Sequence, residues 1–186
     1  GVTVLIGTSG QAGCFTREIV ESMLSHTERP VIMPLSNPTS MAEAVPEDLY
    51  RWTGGRCLVG TGSPFPPVLH NNTSYRIGQC NNVFVFPGVG QGVLASGARE
   101  VLPEFFTAAA RAVAGCLSGP DLAAGCLMPE VTLLGEVSLK VAQAVGETAI
   151  KLGVSRPCAF SSFQHNNDPT RLHELIRRMR WEPVYL

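Results

Sequence analysis

Three short apolar runs, each closed by a loop of small polar residues, constrain this 186-residue chain more than any other feature. Residues 2–6 (Val-Thr-Val-Leu-Ile), 30–35 (Pro-Val-Ile-Met-Pro-Leu) and 57–60 (Cys-Leu-Val-Gly) are too short and too β-branched for helices. Their continuous apolar character predicts strands buried on both faces, the pattern of a parallel sheet. The segments between them predict helices. Residues 16–26 carry an apolar face of Ile19, Val20, Met23 and Leu24 behind a Thr16 N-cap, and residues 46–52 start with Pro46 in the first turn. Strand and helix alternating in this way indicate an α/β layer with a mostly parallel sheet.

The loops that close the runs are Gly7-Thr-Ser-Gly-Gln-Ala-Gly13, Ser36-Asn-Pro-Thr39 and Thr61-Gly-Ser-Pro-Phe65. Parallel sheets bind ligands at the carboxyl ends of their strands, so the three loops are expected side by side on one rim. On spacing alone Gly7, Gly10 and Gly13 serve equally well as a tight strand-to-helix turn or as a backbone cradle for a ligand. Asn37 is either an Asx-turn or a preoriented amide able to hold a carboxylate or carboxamide, with Pro38 setting its direction. Asn81 and Asn82 enter the apolar run 83–86 and either cap the following helix or meet a ligand.

Beyond residue 82 the pattern turns helical over 83–96, 103–117, 134–152 and 169–179, with residues 66–80 a Pro- and Asn-rich hairpin or loop and 155–168 irregular. Domain boundaries are therefore drawn at 1–152 and at 153–186, the latter a tail with a peripheral helix. The run at residues 2–6 starts one residue into the chain. A domain seldom begins inside a core strand, so we expect further sequence upstream and an unpaired side on this first strand.

Composition removes several function classes. The net charge is −1, and Lys occurs only at 140 and 151, which excludes a basic phosphate-binding face and hence a nucleic-acid partner. The chain is 45% hydrophobic with a mean hydropathy of +0.15, yet no apolar stretch runs the roughly 18 residues of a membrane span. Cys14, Cys57, Cys80, Cys116, Cys126 and Cys158 form no C-x-x-C pair and are expected as free thiols in a reducing compartment. The histidines at 26, 70, 165 and 173 fall on loops or helix ends, and both lysines on one helix, so no general base stands out.

Taken in order, Leu5-Ile-Gly-Thr-Ser-Gly10, Arg29-Pro-Val-Ile32, Leu35-Ser-Asn-Pro-Thr39, Gly55-Arg-Cys-Leu58, Gly62-Ser-Pro-Phe65 and Gly78-Gln-Cys-Asn-Asn82, followed by Phe86-Pro-Gly88, resemble the malic enzyme family. The resemblance spans residues 1–152, with a looser match at Arg180-Trp-Glu-Pro183 and Tyr185; Cys80 departs from it, and the stretch 166–169 has no counterpart. It implies part of a Rossmann-like, doubly wound, mostly parallel sheet followed by C-terminal helices. It implies oxidative decarboxylation of malate to pyruvate and CO₂ with NAD or NADP, assisted by Mg²⁺ or Mn²⁺, in a homo-oligomer (dimer or tetramer) of the cytoplasm or mitochondrial matrix. The family's acid–base Tyr and Lys, its metal carboxylates and its Gly-rich fingerprint have no counterpart here, so the chain alone is expected to be inactive. The resemblance assigns Asn37, Asn81 and Asn82 to malate. It assigns Gly7, Thr8, Ser9, Gly10, Ser36, Asn37, Gly62 and Ser63 to the cofactor. The alternatives are another NAD(P)-dependent amino- or hydroxy-acid dehydrogenase, and a non-catalytic Rossmann-like nucleotide-binding module.

Overall fold

The computed structural model describes residues 1–156 and 168–180. Its contacts divide the chain into two compact units: 1–81 with 117–131, and 82–116 with 132–186. Residues 117–131 return to the first unit.

The first unit is built on a four-stranded sheet in which β1 (Val4–Gly7), β2 (Val31–Pro34), β3 (Leu58–Thr61) and β6 (Gly78–Gln79) lie in that order, all parallel. The three expected strands are present within one or two residues of their expected limits. β6 is a fourth that sequence pattern assigns to the 66–80 excursion. The rest of that excursion is an antiparallel hairpin, β4 (Val68–His70) and β5 (Thr73–Tyr75), turned by Asn71 and Asn72, both at positive φ. Two consecutive left-handed residues suit the right-handed twist of a hairpin, and Asn tolerates that backbone better than most side chains.

Among the described residues β1 pairs only with β2 and so lies at the sheet edge. The expected burial on both faces fails there. Val4 is 46% and Ile6 58% exposed, because no described residue covers the alternate side chains of this edge strand. Inward, Ile32 and Val59 are buried with Val20 and Met23 of α1 (Arg17–Leu24) and Leu49 and Tyr50 of α2 (Pro46–Thr53). Thr16 is the N-cap residue of α1, although its hydroxyl makes no capping bond. α2 has Pro46 and two acids in its first turn and stops at Gly54 in the left-handed conformation, φ 61°.

The segment 117–131 carries a short helix, α5 (Gly119–Ala123), opened by a reciprocal capping box between Ser118 and Asp121. Arg76 anchors it by donating to Asp121 Oδ1 at 2.8 Å and to the Met128 carbonyl at 3.3 Å.

The second unit is helical. Residues Asn82–Phe84 form one 3₁₀ turn, followed by α3 (Phe86–Ser96), α4 (Pro103–Ala114), α6 (Leu134–Lys151) and α7 (Pro169–Arg178). α3 and α6 approach closely through glycine: a Cβ on Gly88 would lie 2.6 Å from Val141 Cβ, and one on Gly92 2.6 Å from the Ala142 carbonyl oxygen. The α7 helix, expected to be peripheral, is packed. Leu172, Leu175 and Ile176 are buried with Ala95 and Ala142. Its i, i+3, i+4 apolar spacing is the reason: one face is all hydrocarbon and needs a partner surface. Among the described residues no helix is long and apolar enough to cross a membrane, and the five described cysteines are free; Cys158 lies outside them.

Candidate functional site

The strand ladder continues into the loops and brings them together on one rim of the sheet. Leu35 N–H donates to the Gly7 carbonyl at 2.9 Å, and Gly62 N–H to the Pro34 carbonyl at 3.2 Å. Beyond β6, Cys80 N–H reaches the Thr61 carbonyl at 2.7 Å, and the Gln79 side chain donates to the Gly62 carbonyl at 3.0 Å. The rim therefore carries four strand ends: the three anticipated and that of β6.

The first two loops meet on Glu43. This residue follows the 3₁₀ turn Thr39–Met41, precedes α2 and is 0% exposed. Its Oε1 accepts the Ser9 backbone N–H at 2.8 Å, the Ser9 hydroxyl at 2.9 Å and the Ser36 hydroxyl at 2.5 Å, while Oε2 accepts the Ser36 backbone N–H at 3.2 Å. Gly10 N–H donates in turn to the Ser36 hydroxyl at 2.8 Å. Burial raises the Glu43 carboxyl, but the Ser36 hydroxyl, the Ser9 N–H and hydroxyl and its own backbone more than offset this, pulling it from 4.5 to about 2. Glu43 takes part in none of the ion pairs among the described residues; its charge is met by oriented N–H and O–H dipoles. Gly7 leaves the space it occupies: a Cβ there would stand 2.6 Å from Glu43 Cδ and 2.6 Å from Phe15 Cζ.

The second and third loops meet on Asn37. The Ser63 hydroxyl donates to Asn37 Oδ1, and Asn37 Nδ2 donates to the Leu35 carbonyl at 3.3 Å. The Asn37–Pro38 peptide is cis. Ser63 is buried and its own carbonyl is held by the Thr61 hydroxyl at 2.7 Å, whereas Asn37 is exposed. An amide nitrogen carries two hydrogens, and only one is engaged here. Asn37 thus presents one oriented N–H at the rim, suited to a carboxylate or carboxamide oxygen. Gly62 has no room for a side chain: a Cβ would lie 2.0 Å from the Leu35 carbonyl oxygen.

The structure therefore gathers Gly7, Thr8, Ser9, Gly10, Ser36, Asn37, Gly62 and Ser63 at the ends of β1, β2 and β3. Thr8, Ser9 and Asn37 are on the surface, while Gly7, Ser36, Gly62 and Ser63 are buried behind them. Asn81 follows β6 in the first unit, with its N–H on the Gln79 carbonyl at 3.0 Å. Asn82 begins the second unit, where it is exposed and its carbonyl accepts Val85 N–H at 2.9 Å within the 3₁₀ turn; the N-cap residue of α3 is Val85, with no side-chain capping bond. Sequence reasoning missed Glu43 and Gln79. A single acid inside the apolar stretch Met41-Ala-Glu-Ala-Val45 is the signal that could have found Glu43.

A divalent ion finds no ready donor set here: among the described residues no three His, Cys, Asp or Glu side chains cluster as metal ligands. The thiols are no better placed for chemistry, since burial pushes both Cys57 and Cys80 up to about 11.

Comparison with known proteins identifies the family. The family model described as "Malic enzyme, NAD binding domain" matches residues 2–150. The NAD-dependent malic enzyme of Shewanella sp. (strain ANA-3) is 52% identical over 183 residues, 98% of this chain and 31% of that protein. The NAD-dependent malic enzyme of Photorhabdus laumondii is 46% identical over the same shares. Among solved structures, malic enzyme from Pyrococcus horikoshii superposes with a TM-score of 0.68 at 28% identity, over 94% of this chain and 35% of that one. Entamoeba histolytica malic enzyme gives 0.69 at 26%, over 96% and 33%. The chain spans about a third of the length of the relatives it matches. Half-identity over almost every residue, with the domain model covering both the sheet and most of the helices, decides among the readings left open above: this chain belongs to the malic enzyme family, as a part of it that matches the NAD-binding domain over residues 2–150.

Proposed function

We propose that this chain is the cofactor- and malate-holding portion of an NAD-dependent malic enzyme, which oxidises malate to pyruvate and CO₂ and reduces NAD. The carrying observation is the stitched rim, where three strand-end loops are held together by Glu43 and by the Ser63–Asn37 hydrogen bond. On this reading Gly7, Thr8, Ser9 and Gly10 pass along the cofactor, with Ser36, Gly62 and Ser63 backing it. Asn37 offers its remaining N–H to the nicotinamide carboxamide or to malate, and Asn81 and Asn82 take the malate carboxylate. A carboxylate held by amide N–H groups keeps its charge and its orientation while hydride leaves C2, which is a positioning contribution to the rate.

Mg²⁺ or Mn²⁺ would supply Lewis-acid polarisation in the complete enzyme. The residues described here do not fit such an ion, so its ligands would come from elsewhere in the longer polypeptide. The relatives are named for NAD, which favours it over NADP. Homo-oligomerisation, as a dimer or tetramer, completes the proposal and is checked by light scattering of the complete enzyme.

The test is malate-dependent NADH formation. The complete enzyme should show it with a divalent ion present, and residues 1–186 alone should not. Absence of turnover by the complete enzyme refutes the proposed function, and clear turnover by the isolated chain refutes its dependence on outside residues. Asn37→Ala in the complete enzyme should lower kcat/KM by about 10²-fold, as expected for loss of an orienting contact at the reacting centre. An unchanged kcat/KM removes Asn37 from the site.

A further inference from the structure

We infer that Glu43 is the positioning residue of the cofactor rim: a buried carboxylate that locks the loop after β1 to the loop after β2, so that both are set before the cofactor arrives. The inference rests on the proposed function and deepens it. Nothing in the chemistry of hydride transfer requires Glu43, which is wholly buried and faces its own chain. Its work is visible in where the donors point. Ser9 and Ser36 each commit both their N–H and their hydroxyl to it, and Gly10 is bound to the Ser36 hydroxyl. Those groups are thereby withdrawn from any ligand.

The loops consequently serve a dinucleotide through shape and through the groups left over. These are the exposed residue Thr8 and the side chain of Asn37, the residue that directly follows Ser36. A loop already immobilised saves the ordering cost that a mobile one meets on binding. A neutral side chain cannot do the same work. Gln in place of Glu would turn an amide NH₂ toward one set of these N–H and O–H donors, leaving at least one of them facing another donor. Glu43 and Phe15 together leave no room for a side chain at Gly7, whose Cβ would run into the carboxylate carbon and into Phe15 Cζ, each at 2.6 Å.

The experiment compares Glu43→Gln, Glu43→Asp and Leu49→Ala in the complete enzyme, measuring kcat and KM for NAD and for malate below the melting temperature of each variant. Leu49 is equally buried, in the core of the same unit, and makes no hydrogen bond to the Glu43 network through its side chain, so its truncation reports destabilisation. Glu43→Gln should raise KM for NAD by about tenfold or more while Leu49→Ala leaves it within about twofold. Glu43→Asp keeps the charge but falls one methylene short of spanning Ser9 and Ser36. It should fold and show the same defect in smaller measure, which keeps the test open if the Gln variant does not fold. If Glu43→Gln, or Glu43→Asp in its place, leaves KM for NAD at the wild-type value in an enzyme that turns over, the positioning role is refuted and the proposed function stands. A wild-type enzyme without malate-dependent turnover refutes the proposed function and this inference with it.

Discussion

Lowering the pH tests the Glu43 network directly. Its carboxyl ionises near 4.5 when freely solvated and is held at about 2 in the folded chain. A depressed carboxyl stabilises the fold wherever it is ionised in the folded state, so the contribution is complete above pH 4.5 and disappears as the pH falls towards 2. The drop from 4.5 to about 2 corresponds to about 3 kcal/mol, lost at about 1.4 kcal/mol per pH unit within that window. Between pH 6 and pH 3 Glu43 should therefore remove about 2 kcal/mol of stability. Urea unfolding followed by circular dichroism at pH 7, 6, 5, 4 and 3 measures this, provided that Glu43→Gln is run alongside. Glu18 and Asp121 are also held below their ordinary values, Glu18 chiefly by the Thr16 hydroxyl and Asp121 chiefly by the Ser118 hydroxyl. Both are unchanged in the variant, so they cancel in the difference. At pH 7 the variant should be less stable by about 3 kcal/mol, since a buried donor is left facing another donor. At pH 3 the gap should shrink to about 1 kcal/mol. Parallel curves, with the same gap at every pH, would refute the view that Glu43 is ionised and held by these four donors.

Other consequences are more local. Gly62→Ala should cost about 3 kcal/mol by thermal melting, because both the new Cβ and the Leu35 carbonyl 2.0 Å from it are bound to strand ends that cannot retreat independently. Gly10→Ala meets no atom within 4 Å but needs φ +65°, so it should cost only about 1 kcal/mol in the same assay; an equal loss for the two would count against the close approach at Gly62. Gly92→Ala should destabilise the helical unit by about 2 kcal/mol, since its Cβ meets a carbonyl on α6 at 2.6 Å, and denaturant midpoints measure it. Cys57 and Cys80, held up to about 11, should resist iodoacetamide at pH 8 in the folded chain and react on unfolding. Peptide mass spectrometry reads this; rapid alkylation of Cys57 in the folded chain contradicts its burial, and rapid alkylation of Cys80 contradicts its raised pKa.

The parts of this fold legible in the sequence are those decided within a few residues. Continuous apolar runs mark β1, β2 and β3, Pro at the first turn marks α2, α3 and α4, and Gly54 and Gly97 in left-handed backbone mark two helix ends. The rim loops belong to the same class, because a loop that ends a parallel strand goes where the strand takes it. What escaped depends on distant partners. β6 is two residues long, Gly78 and Gln79, and carries no apolar signature; only pairing with Gly60 and Thr61 makes it a strand. The return of residues 117–131 to the first unit turns on Arg76, whose partners lie 45 and 52 positions away. Glu43 is the clearest instance. A charge is ordinarily expected at the surface, and its burial is stable only because Ser9, 34 positions earlier, and Ser36, seven earlier, converge on it with four donors. Ser9 and Ser36, two of the residues that the resemblance assigns to the cofactor, are ones whose donors the fold itself consumes. The exposed amide of Asn37, steadied by a buried serine from the next strand end, is where the rim keeps an N–H donor at its surface.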